Sequence, residues 1–145
     1  MRPDFPMPDP DWEPTREFWA GAARRELRIP RCNHCGRLRW YPTEMCRFCQ
    51  GEELTWETMS GRATLFSWVV VTHAFLPQFR EKVPFIPALV SLDEDPAVRL
   101  STELVDVSPD QLAFGQPVEV TFRGLQFAGV EGSLLAPFFA PSSSC

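Results

Sequence analysis

The 145-residue sequence predicts a mainly β chain: an N-terminal helix, a rubredoxin-like cysteine ribbon, then a five-stranded barrel of the OB type. Three observations carry that reading. Two C-x-x-C pairs, Cys32/Cys35 and Cys46/Cys49, are separated by ten residues. From residue 61 the apolar pattern turns strand-like, in five short runs with one helical turn between the third and fourth, as in a Greek-key barrel. Many of the fifteen prolines punctuate those runs, where ladder donors are not required.

The expected units are 1–30 (proline-rich arm and helix), 31–59 (ribbon) and 60–145 (barrel). Residues 1–14 hold five prolines, which removes donors and keeps a chain extended; the alternatives are a docked arm and a disordered tail, and Phe5 and Trp12 favour docking. Thr15 offers an N-cap and Glu17 a first-turn acid for a helix through Leu27, stopped by Pro30. Phe18 and Trp19 lie on its apolar side. A helix this short cannot bury them alone, so they pack on this chain or on a partner.

Ala63–Phe75 is rich in β-branched and aromatic residues and reads as the first barrel strand, with His73 inside it. A loop from Pro77 to Pro84 carries Arg80 and Lys82. Phe85–Leu92 follows, then an Asp93–Pro96 turn, Val98–Val105, a helical turn from Pro109 to Leu112, Val118–Phe122 and Leu134–Phe138.

The net charge of −5 argues against a general nucleic-acid binder. Residues 16–47 nevertheless hold eight arginines against three glutamates, a net +5, leaving −10 for the rest. Such a patch faces an acidic surface, a phosphorylated ligand or neighbouring thiolates. No apolar run reaches the ~18–20 residues a membrane helix needs, and no secretory leader is visible, so a cytoplasmic protein without membrane contact is expected.

Each C-x-x-C forms a knuckle whose thiolates point at one ion, with Gly36 and Gly51 expected at positive φ behind them. Cys32, Cys35, Cys46 and Cys49 complete a closed Cys₄ site for structural Zn²⁺, spanned by a short hairpin at 38–42. Iron uses the same four ligands; disulfides suit a secreted chain, and a redox C-x-x-C opens a helix after a strand. His34 reads as a surface residue and Cys145 as a bystander thiol. With two histidines, one tyrosine and no phosphate loop, HExxH or nucleophile elbow, no catalytic residue is assigned.

Several segments follow in a specific order. They are Phe18-Trp19-Ala20-Gly21, Leu27 to Cys32, Cys35-Gly36, Trp40-Tyr41-Pro42 and Ser60 to Thr64, then Phe79, Pro84-Phe85, Pro109 and Gly115 to Val118. That succession, over nearly the whole chain, resembles the zinc-ribbon/OB-fold proteins associated with acyl-CoA enzymes, long grouped as a domain of unknown function. The resemblance implies an accessory subunit of a thiolase-like protein, or a module fused to or assembled with an acyl-CoA hydratase. One branch serves aldolases acting on steroid side-chain CoA thioesters, and another a phloroglucinol acetyltransferase assembly. Thirteen arginines to one lysine fit a high-GC bacterial gene and lean toward the steroid branch. On this reading the chain is a free-standing subunit or an excised domain. Trp12, Phe18 and Trp19 are the expected partner anchors, and Arg39, Arg47, Arg80 and Lys82 are placed to meet CoA phosphates. The rival is a single-stranded nucleic-acid module, favoured by the +5 segment and by Trp40, Tyr41 and Phe48. A scaffold holding the partner's dimer without touching ligand is a third reading.

Overall fold

The computed structural model of the chain describes residues 5–142, so Cys145 lies outside the described residues. Phe5 is buried, its ring 4.5 Å from Phe127 and 5.6 Å from Phe79 between centroids. The arm therefore docks on this chain's own barrel loops. A 3-10 turn at Glu13–Thr15 leads into helix α1, Arg16–Ala23.

The helix is shorter than expected, and Thr15 makes no side-chain cap. Its end is set by Arg25, at φ 63, rather than by Pro30. The chain then alternates into strand β1, Arg28–Cys32, burying Leu27 and Ile29. Pro30 lies inside β1, where its carbonyl accepts from the Arg39 N–H at 2.7 Å. β1 pairs antiparallel with β2, Leu54–Thr58, and this two-stranded sheet brackets both knuckles. Neither strand is expected from the pattern. Among the described residues no hairpin forms at 38–42; a single bridge joins Arg31 to Leu38.

The barrel has the expected five strands: β3 Arg62–Trp68, β4 Ile86–Leu92, β5 Asp95–Leu104, β6 Pro117–Leu125 and β7 Leu134–Pro141. They close in the order β3-β4-β5-β7-β6, with a 3-10 turn at Pro109–Gln111 between β5 and β6. β4 shows the strand period directly, burying Ile86, Ala88, Val90 and Leu92 in alternation. β3 stops seven residues before Phe75. The chain beyond it stays beside the start of β4 as far as Val71, whose N–H and C=O both pair with Phe85 while Val69 N–H donates to Pro87 O (3.0 Å), but it exposes Val69, His73 and Phe75. High β-propensity there marks an exposed apolar loop, not a wall of the core.

Phe18 and Ala22 of α1, Ile29 and Leu38 of the ribbon, and Leu65, Val90, Val118 and Phe139 of the barrel belong to one buried cluster. Ribbon and barrel thus share a core. Their junction turns at Gly61, φ 85, where a Cβ would sit 2.5 Å from Val120 Cγ1.

Candidate metal centre

The two knuckles are copies of one loop. In the first, Cys32 N–H donates to Arg37 O (2.8 Å) and Gly36 N–H to Cys32 O (3.0 Å). In the second, Cys46 N–H donates to Gly51 O (2.8 Å) and Gln50 N–H to Cys46 O (2.8 Å). Gly36 has the expected positive φ, 77. In the second knuckle the left-handed position falls on Gln50, φ 64, and not on Gly51. Gly51 is needed for another reason: a Cβ there would lie 2.9 Å from His34 Cβ and 3.3 Å from Cys49 Sγ. Arg31 ties the first knuckle to the sheet, donating to Glu57 Oε2 and Gly36 O, both at 2.7 Å.

The four sulfurs lie within 4.8 Å of one another, with Cys32–Cys49 at 3.5 Å and Cys35–Cys46 at 3.7 Å. A Zn–S bond of ~2.3 Å in a tetrahedron separates its sulfurs by about 3.8 Å. The cluster therefore has the dimensions of a four-thiolate zinc site. Backbone N–H groups aim at the sulfurs. Those of Cys35 and His34 hold the Cys32 thiol down to about 6. Burial pushes the Cys46 thiol up, but the N–H groups of Phe48 and Cys49 outweigh it and leave it below its ordinary value. Gly51 N–H pulls Cys49 down, yet burial and the neighbouring thiols leave it pushed up to about 11. Four such groups cannot all ionise side by side without a cation, and a dication lets them. Cys₄ ligation fills the tetrahedral shell, so the centre staples the ribbon and leaves no position for a reacting water. His34 is exposed.

The other expected site residues divide. Phe18 is buried in the chain's own core, in contact with Trp19 (5.1 Å) and Trp40 (5.0 Å). It forms the floor of a cleft rather than a protruding anchor. Trp40 meets Tyr41 at 5.5 Å, and Tyr41 stacks on exposed Trp12 at 6.3 Å. Trp40 and Tyr41 are therefore the links that join Trp12 to Phe18 and Trp19, and the Trp40-Tyr41-Pro42 triplet they belong to is the sequence signal for them. Beside them a cleft of 510 Å³ opens between β5 and β7, lined by Trp19, Leu100, Glu103 and Phe138 among others.

Arg39 is corrected: it is only 4% exposed, and donates to Thr43 O (2.6 Å) and Glu52 O (3.4 Å). Its fork closes the ribbon loop and is not presented to a ligand. Arg47 is exposed against the Phe48 ring, and Arg80 is exposed beyond the Pro77–Phe79 turn. Lys82 lies 4.7 Å over Phe127. Arg39 and Arg47 share one small notch, while Lys82 lines a separate cavity.

Comparison with known proteins places this geometry. Residues 19–55 match the family model of the ChsH2 rubredoxin-like zinc ribbon domain, and residues 56–123 that of the ChsH2 C-terminal OB-fold domain. The chain is 33% identical, over 98% of its length, to a probable enoyl-CoA hydratase alpha subunit of Thermomonospora curvata, of which it spans 42%. It is 28% identical to a DUF35 domain-containing scaffold protein of Methanocaldococcus jannaschii, covering 70% of this chain and 71% of that one. Among solved structures, one chain of the Ltp2-ChsH2(DUF35) aldolase superposes with a TM-score of 0.76 and 29% identity, covering 94% of this chain and 98% of that one. A DUF35 protein of unknown function from Sulfolobus solfataricus shares the fold, with a TM-score of 0.61 and 14% identity over 90% of this chain and 86% of that one. The four ligands fall inside the matched ribbon and the five strands continue through and beyond the matched barrel; the chain belongs to the ChsH2/DUF35 family of zinc-ribbon OB-fold proteins.

Proposed function

We propose that the chain is a non-catalytic accessory subunit of a thiolase-superfamily acyl-CoA enzyme, needed for its partner's stability and activity. The observation that carries this is the likeness, over nearly all of both chains, to one chain of the Ltp2-ChsH2(DUF35) aldolase. The relative described as an enoyl-CoA hydratase alpha subunit and those described as scaffold proteins support the same setting. The chemistry of the metal centre agrees, because four thiolates close it. On this reading the partner supplies the reacting groups and acts as an aldolase on steroid side-chain CoA thioesters, or as an acyltransferase, in the cytoplasm.

The test is co-expression with the thiolase-like enzyme of the same organism. A stable hetero-oligomer whose acyl-CoA turnover disappears when this chain is withheld is the expected result. No complex, together with unchanged turnover, overturns the proposal.

A further inference from the structure

The basic segment of the sequence is largely used up by the fold. Arg24 and Arg28 pair with Glu17, Arg31 pairs with Glu57, and Arg39 is buried on carbonyls. Arg16 donates to Asp11 O and Arg25 to Phe122 O. Two arginines of the segment are left with neither an ion pair nor a side-chain hydrogen bond among the described residues, Arg37 in the first knuckle and Arg47 in the second. Both lie on the ring of Phe48, with guanidinium carbons 4.2 and 4.8 Å from its centroid. Among the described residues neither donates to a cysteine sulfur; the N–H reaching Cys49 Sγ, at 3.4 Å, is that of Gly51. Neutralising the thiolates by direct contact is not what holds them there.

Phe48 is itself 48% exposed and Tyr41 58% exposed. With Thr43 and Arg47 they line a notch of 220 Å³. Sites that enclose drug-sized ligands run ~300–1,000 Å³, so this one takes a single side chain. A guanidinium over an aromatic ring is held by cation–π attraction while its planar N–H fork can still pair with a carboxylate. We infer that the Tyr41–Phe48 notch, with the Arg37 and Arg47 guanidiniums on Phe48, docks an acidic protein segment carrying one aromatic or aliphatic side chain. The apolar side chain fills the notch, and the flanking carboxylates meet the two unspent arginines. Nucleic acid suits the surface less well. Trp12 and Tyr41 lie against each other at an interplanar angle of 23°, which covers one face of each and leaves fewer ring faces for stacked bases.

This surface rests on the accessory-subunit reading only for who supplies the segment, so its test runs in two arms. In the first, the zinc-loaded chain is titrated with a fluorescent Asp/Glu peptide holding one central Phe. Its Asn/Gln analogue and an oligo-dT strand are the comparisons. The acidic peptide is expected to bind, weakening as salt rises from about 50 to about 300 mM. It is expected to weaken about tenfold or more with Arg37→Gln/Arg47→Gln or Phe48→Ala. The Arg37→Lys/Arg47→Lys variant, with metal content checked, separates loss of charge from loss of the ribbon fold. No binding at low salt, equal binding by the double glutamine variant, or tighter binding of oligo-dT overturns the inference. In the second arm the same variant is co-purified with the thiolase-like enzyme. Recovery equal to wild type rejects this surface and leaves the accessory role standing. Failure of the wild type to co-purify, with peptide binding intact, removes the accessory role and keeps the surface.

Discussion

Gln50 occupies in the second knuckle the place Gly36 occupies in the first. Each has a left-handed φ, 64 and 77, and each N–H returns to the carbonyl of the first cysteine of its pair, at 2.8 and 3.0 Å. A glutamine in that conformation carries a cost that glycine does not, of about 1 kcal/mol. Gln50→Gly is therefore expected to raise the thermal midpoint of the metal-bound chain, and Gly36→Ala to lower it. Calorimetry at equal zinc loading checks both signs.

The four-sulfur cluster predicts one zinc per chain. Cys32→Ser or Cys46→Ser removes one thiolate, exposes the rest to chelators and unfolds the ribbon, since apparent zinc binding in comparable sites supplies about 10–16 kcal/mol. Cys145→Ser is expected to leave the stoichiometry unchanged. Metal analysis after dialysis against a chelator reads the difference, and cobalt substitution reports tetrahedral thiolate coordination directly.

Glu103 lines the apolar cleft beside β7, and burial raises its carboxyl above the usual range, against the pull of Lys82. A carboxyl raised on folding favours the native state below its unfolded pKa, and that stability is lost as pH rises through the folded value. At neutral pH the charged group therefore burdens the fold. Glu103→Gln is expected to raise the midpoint at pH 7, with a gain that shrinks toward pH 4. A gain independent of pH contradicts the assignment.

Phe5 holds two loops together through Phe79 and Phe127, whose rings are 5.2 Å apart. Phe5→Ala is expected to cost about 3 kcal/mol and to speed amide exchange in residues 77–85 and 125–130, leaving zinc content unchanged.

The parts legible in the sequence are those whose chemistry is local. Two C-x-x-C pairs specify their ligands by spacing alone, and the alternation of Ile86, Ala88, Val90 and Leu92 specifies a strand. What the local pattern does not carry depends on how the chain folds back on itself. Arg39 looks like a surface cation until the Thr43 and Glu52 carbonyls fold around it. Pro30 looks like a helix stop until Trp56 pairs opposite it. Val69 to Phe75 has the composition of a core strand, and composition does not say whether a segment faces the core or solvent.

The accessory role is tested most directly by assaying acyl-CoA turnover of the thiolase-like partner, expressed with and without this chain. The account predicts a stable complex that is active only with the zinc-loaded chain present, and no turnover by this chain alone. Full turnover by the partner alone, with no complex on gel filtration, would contradict it.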